Sequence, residues 1–179
     1  GRDARMGDFV NVVELAYVRA RMQLAGGTVG EPVDIRVSKR HVDTVYSHLE
    51  YSGRRFRGSV TAAERAQGSV DLAGLAFGDG FVEGNTVMTS LINASSPMAW
   101  DATMLGAAEV YARNMQATML RPVIQAGALA PVPVAGAATP ALADPRAGLP
   151  FVPPDHPRAP PLSRSFPTPA PVHTGRPPS

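Results

Sequence analysis

The sequence predicts an α/β fold followed by a proline-rich tail, and three observations carry that prediction. Strand and helix patterns alternate with a period of about 30 residues between positions 55 and 124, the signature of βαβ units and their crossovers. The run TVMTSLIN, Thr86 to Asn93, is β-branched and apolar on both faces, as expected of a parallel strand covered on both sides. Twelve of the 18 prolines lie between Pro145 and Ser179, where no apolar periodicity survives, so that segment cannot build a packed core. The expected division is a folded domain over 1–143 and a disordered tail over 144–179.

Taken in order, Phe9, Val13, Ala16 and Ala20 share one face of a helix from Gly7 to about Leu24, which Gly26-Gly27 ends. Thr28 to Val37 contains Pro32 and reads as a loop or edge strand. Ser38 is a candidate N-cap for a helix over 39–51 with Val42, Val45, Tyr46 and Leu49 on one face, stopped by Gly53. Arg55 to Val60 reads as a short strand, and Thr61-Ala-Ala-Glu64 has capping-box spacing ahead of a helix carrying Ala66, Val70, Ala73 and Phe77, broken at Gly78-Asp79-Gly80. After the strand at 86–93 and the Ser95-Ser96-Pro97 turn, a helix from Asp101 to about Asn114 places Leu105, Ala108, Ala112 and Met115 on one stripe, and Gln116 to Ile124 returns as a strand.

Composition excludes several function classes. Seventeen basic and 15 acidic residues leave a near-neutral chain with no basic block interleaved with aromatics, so nucleic acid is not an expected partner. Without cysteine there are no disulfides, thiolate metal sites or thiol nucleophile, which fits a reducing, cytoplasmic setting. No leader pattern and no run of about 18 apolar residues occurs, so no membrane is expected. His41 and His48 share a helical face, but no third ligand stands at metal-site spacing. Gly78 to Gly84 has the wrong spacing and precedes a strand, which rejects a dinucleotide loop. Ser95 and Ser96 lack the nucleophile elbow of hydrolases. Lys39 is the only lysine, and abundant Ala, Gly, Arg and Pro suggest GC-rich coding DNA. The tail therefore has two open origins, a disordered linker or an out-of-frame translation product. Spacing such as Pro157 to Pro160 arises readily in any proline-rich text and does not by itself make an SH3-type ligand.

Four ordered segments carry a family resemblance. The run beginning at Gly27, GTVGEPVDIRVSKRHVDTVYSHL, the stretch Arg57-Gly-Ser-Val-Thr-Ala-Ala-Glu-Arg65, the element LINASSPMAWD from Leu91 to Asp101, and PVIQAGALAPVPVAGAA from Pro122 to Ala138 together resemble the trimethylamine methyltransferase family over about residues 7–143. Met98 stands where the family tends to have Leu, Pro133 where it has Thr, and Arg54-Arg55-Phe56-Arg57 where it has Asp-Lys-Pro-Phe. The resemblance implies part of a (β/α)8 TIM-type barrel with substrate at the C-terminal strand ends. It also implies transfer of a methyl group from a methylated or quaternary amine, of the trimethylamine or glycine betaine class, to the cobalt of a corrinoid (cobalamin) carried by a separate partner protein. No cofactor is then bound directly, and no Asp-x-His-x-x-Gly corrinoid pattern occurs in the chain. Two other readings stay open, a non-catalytic truncated remnant with an exposed sheet edge and a generic α/β small-molecule binding module. Homo-oligomerisation is also open.

The expected substrate contacts are Asn93, Ser95, Ser96, Trp100, Gln125 and Gly127, all at or beyond strand ends. Each has a plainer alternative. Ser96-Pro97 makes a turn, with Asp101 capping the next helix. Trp100 forms one wall of a cation-π site for a quaternary ammonium, or packs in the core. Gln125 hydrogen-bonds a substrate carboxylate beside a close backbone approach at Gly127, or both belong to an ordinary turn. Arg121 offers a bidentate carboxylate contact, or a solvated strand end. No catalytic residue and no metal ligand is assigned.

Overall fold

The computed structural model describes residues 3–26, 31–95, 97, 99–151, 161–163 and 168–169. The chain opens with α1 (Met6–Val18) and a two-residue β1 (Leu24–Ala25), then alternates α2 (Val37–Tyr51), β2 (Arg55–Arg57), α3 (Ala63–Phe77), a short α4 (Asp79–Gly84) and β3 (Met88–Ser95). It continues through β4 (Ala99–Trp100), α5 (Ala102–Arg113), β5 (Ala117–Pro122), β6 (Gln125–Ala126) and α6 (Val134–Gly148), with a 3-10 turn at Leu149–Phe151 and short strands β7 (Pro161–Ser163) and β8 (Thr168–Pro169).

The main sheet keeps its strands in chain order, β1-β2-β3-β5-β7, every neighbouring pair parallel, with β4 added antiparallel to β3. A helix lies between each consecutive pair, which is the connectivity of successive βαβ units. Among the described strands, β1 and β7 each have one neighbour, so the described residues form an open sheet. A separate parallel pair joins β6 to β8. None of the described helices is long and apolar enough to cross a membrane.

Strand alternation separates the two sheet faces. Phe56 and Met88 pack with Val45, Ala66, Val70, Ala73, Ala107 and Tyr111, and Ile92 and Leu120 pack with Ala108. These side chains therefore face α2, α3 and α5, and their strand neighbours Arg57, Thr89, Leu91, Asn93, Met119 and Arg121 face the other way. At the N-terminal ends of the strands, buried Gln116 accepts from the Val87 and Met88 amides and donates to the carbonyls of Val82, Asn85 and Asn114, at 2.9–3.2 Å.

Several local expectations are revised. The first helix stops at Val18, because its buried stripe ends at Ala16 and Ala20 is exposed. Helix α2 starts at Val37 with Arg36 at the N-cap, so Ser38 lies inside it; Val45 is buried, whereas Tyr46 points to solvent. The capping box at Thr61 does not form. Ala62 is the N-cap, and the Thr61 hydroxyl instead accepts from Arg65 at 3.1 Å, an exposed side chain offering a stronger local donor than the backbone. Ala66, Val70 and Ala73 are buried as expected, while Phe77 is largely exposed and rests against Phe81 of α4.

The boundary at residue 143 falls inside α6. That helix accommodates Pro140 and Pro145 and buries Ala137, Ala141, Asp144, Pro145 and Gly148, a face repeating at helical spacing. Proline reads locally as a helix breaker, and only packing of this face against the sheet and Trp100 overrides that signal. The expectation of tail disorder otherwise falls mainly on residues outside those described.

Candidate functional site

A cleft of about 520 Å³ opens at the C-terminal ends of β2 and β3, within the size range of small-molecule sites. The end of β2 supplies Arg57, Gly58 and Ser59, and β3 supplies Leu91 and Asn93. The first turns of α2 add Arg40, His41 and Thr44, α3 adds Arg65, and α5 adds Met104.

The loop after β2 is held from behind by α5. Fully buried Tyr111 donates its phenol to the Ser59 carbonyl at 2.7 Å, and burial raises its pKa. Ser59 N–H donates to Ser69 Oγ at 3.1 Å, and that hydroxyl donates to the Arg65 carbonyl at 3.0 Å. Gly58 N–H extends the ladder to the Thr89 carbonyl at 3.0 Å. A Cβ at Gly58 would collide with the Tyr111 hydroxyl and lie 2.8 Å from Cζ, so no larger residue fits without displacing a buried ring.

The cleft is electropositive. Its lining carries Arg40, Arg57 and Arg65 against one carboxylate, Glu31, which takes Arg40 at 2.9 Å. Half-buried Arg57 has its pKa lowered by burial and then by the neighbouring charge of Arg121, and no described carboxylate lies in ion-pair range of either. His41 is lowered first by burial and then by Arg65, against opposing effects of Asp43 and Glu64. His48 lies beneath the cleft, edge-on to Phe9 at 5.4 Å and stacked on Phe56 at 5.7 Å; burial lowers its pKa to about 4, so it is neutral at physiological pH. Buried without a hydrogen-bond partner among the described residues are Asn93 Oδ1, Arg40 Nε, and Nδ1 of His41 and of His48. Among the described residues, no three His, Asp or Glu side chains gather as a metal site.

Of the residues singled out from sequence, Asn93 lines the cleft. Ser95 is exposed at the end of β3, and Ser96 lies outside the described residues. Trp100 packs on the helix side of the sheet beside Ile92, Ala108 and Leu120, where a Cβ on Gly148 would stand 2.6 Å from its Cζ2, and it lines no part of the cleft. Gln125 is exposed and opens a tight turn whose Gly127, at φ +86°, bonds Ala130 O at 2.7 Å; neither residue lines the cleft. Asp101 caps α5, accepting from Thr103 and Met104 amides at 2.7 and 3.1 Å, which holds its carboxyl below the usual range. Arg57, Gly58 and Ser59 were reached in sequence only as strand-end backbone. Alternation around the apolar Phe56 was the available signal that Arg57 leaves the core face.

Comparisons with known proteins converge on one family. The family model described as trimethylamine methyltransferase (MTTB) matches residues 1–178, extending past residue 143. The chain is 37% identical over 136 residues to a glycine betaine methyltransferase of Desulfitobacterium hafniense (strain Y51), which covers 75% of this chain and 28% of the relative's length. With residues 1–178 matched by the family model, and parallel strands in chain order around a strand-end cleft, this chain belongs to the trimethylamine methyltransferase family.

Proposed function

We propose that the chain forms one wall of the substrate site of an amine methyltransferase that takes a methyl group from a quaternary amine of the glycine betaine class. The supporting observation is identity to a glycine betaine methyltransferase, together with an electropositive strand-end cleft that suits the carboxylate end of a betaine. A corrinoid carried by a separate partner protein in the cytoplasm would supply a strongly nucleophilic Co(I) centre as methyl acceptor, the tertiary amine leaving with the C–N electron pair. A cleft of 520 Å³ suits a small amine and is smaller than a corrinoid with its side arms, which favours approach by a partner over a resident cofactor. The contribution of this chain is then binding and orientation. Leu91 and Met104 give N-methyl groups an apolar wall, and the Tyr111–Ser59 bond fixes the loop beside them.

The open sheet of the described residues favours a second reading, in which the chain is a non-catalytic remnant with an exposed sheet edge and binds no amine. Calorimetric titration of the 179-residue chain with glycine betaine and with trimethylamine tests the proposal. Saturable binding of the betaine supports it, and the absence of saturable binding by either amine leaves the non-catalytic reading.

A further inference from the structure

The inner sheet face places two arginines near each other without acids. Arg57 ends β2 and Arg121 lies one residue from the end of β5, with β3 between them. Phe56 and Leu120 are committed to the helix-side core, so both guanidiniums leave the sheet on the opposite face. Asn93 of β3 stands opposite Arg121 in the register and lines the same cleft as Arg57, which is level with Thr89; Arg121 itself is exposed, outside the cleft lining. No described carboxylate pairs with either arginine, and their charges act on each other. Arg57 is half-buried and Arg121 exposed, so the like charge that Arg121 places on Arg57 is relieved when an anion lies beside them.

We propose that Arg57 and Arg121, with Asn93 between them, form a carboxylate subsite that anchors the acidic end of a zwitterionic quaternary amine. This assignment rests on the amine-methyltransferase reading for its ligand, and on the geometry of β2, β3 and β5 for its location. A quaternary nitrogen has no N–H and accepts no hydrogen bond, so the carboxylate is the only group of a betaine that directional bonds can hold. Guanidinium forks bind carboxylates in fixed geometry, and the Asn93 side chain, which lines the same cleft as Arg57, carries an amide N–H group of the kind a carboxylate accepts from. Anchoring that end presents the trimethylammonium toward Leu91 and Met104. The subsite thereby selects betaines over amines that lack an acid.

The test is two-dimensional NMR of the arginine side-chain N–H resonances of the full chain, titrated with three probes. Glycine betaine carries both charges, choline carries only the ammonium, and 3,3-dimethylbutyrate is the uncharged-head isostere that keeps the carboxylate. The expected result is that glycine betaine and 3,3-dimethylbutyrate shift the Arg57 and Arg121 resonances, choline does not, and Arg57→Gln or Arg121→Gln weakens both carboxylate ligands by about tenfold or more. Arg57→Lys retains part of the affinity, which separates lost charge from lost fold. If 3,3-dimethylbutyrate leaves both resonances unmoved, or if the Gln variants bind glycine betaine as wild type does, the subsite is overturned even where amine binding persists. If 3,3-dimethylbutyrate binds through the arginines while glycine betaine does not, the carboxylate subsite stands and the betaine assignment falls.

Discussion

The phenol of Tyr111 and the backbone carbonyl of Ser59, 52 residues apart in sequence, meet in a 2.7 Å hydrogen bond that ties buried α5 to the loop at the cleft mouth. Gly58 is packed against the same ring, so helix and strand end are fitted to each other at one point.

Tyr111→Phe removes the donor and leaves a part-buried carbonyl unpaired, with an expected cost of about 1–2 kcal/mol. Gly58→Ala forces a methyl against the ring, with an expected cost of about 1–3 kcal/mol. The double variant is expected to lose less than the sum of the two, because removing the hydroxyl takes away the closest of the contacts with the added methyl. Urea unfolding of the three variants checks this, and strict additivity would show that the contact carries no coupling.

Gln116 is predicted to be a large structural determinant. Gln116→Leu preserves bulk but strips partners from the Val87 and Met88 amides and from three carbonyls, for an expected loss of about 3 kcal/mol or more. A urea midpoint within experimental error of wild type would contradict that role.

His48 makes stability depend on pH. Its folded pKa, about 4, lies below the unfolded value of 6.5, so the unfolded chain binds the extra proton between them and stability falls as pH drops through that window. The total effect is at most about 3 kcal/mol, fully lost below the folded pKa. His48→Leu is expected to flatten the slope between pH 6.5 and 4, measured by urea unfolding at several pH values. An unchanged slope would assign the acid sensitivity to other groups.

Trp100 is the only tryptophan, so its fluorescence reports directly on α6. Gly148→Val is expected to push α6 from the indole and shift emission to the red, and removal of residues 144–179 is expected to do the same. Identical emission from the full and shortened chains would show that α6 does not cover Trp100.

Local and periodic features were legible before the structure. The β3 strand, the Asp101 cap and the 66-70-73 stripe of α3 each depend on residues a few positions apart, which a sequence displays directly. Features that failed did so where a tertiary partner outweighed a local preference. Thr61 bonds Arg65 instead of capping, and α6 carries two prolines because its buried face, Pro145 included, packs against the sheet and Trp100. Of the named site residues, Asn93 reached the cleft because it lies on a recognisable strand, whereas Trp100 turned to the helix side through its pairing with Ala94, a register no local pattern reports.

By itself, the sequence determined the alternating strand and helix units and the family resemblance, because periodicity and ordered motifs survive without any knowledge of partners. Only the tertiary structure decided that Arg57 and Arg121 share a face, that Tyr111 holds Ser59, and that Gln116 staples the strand starts. Those relationships join residues roughly 30 to 60 positions apart, and strand order, register and the packing of α5 bring them together.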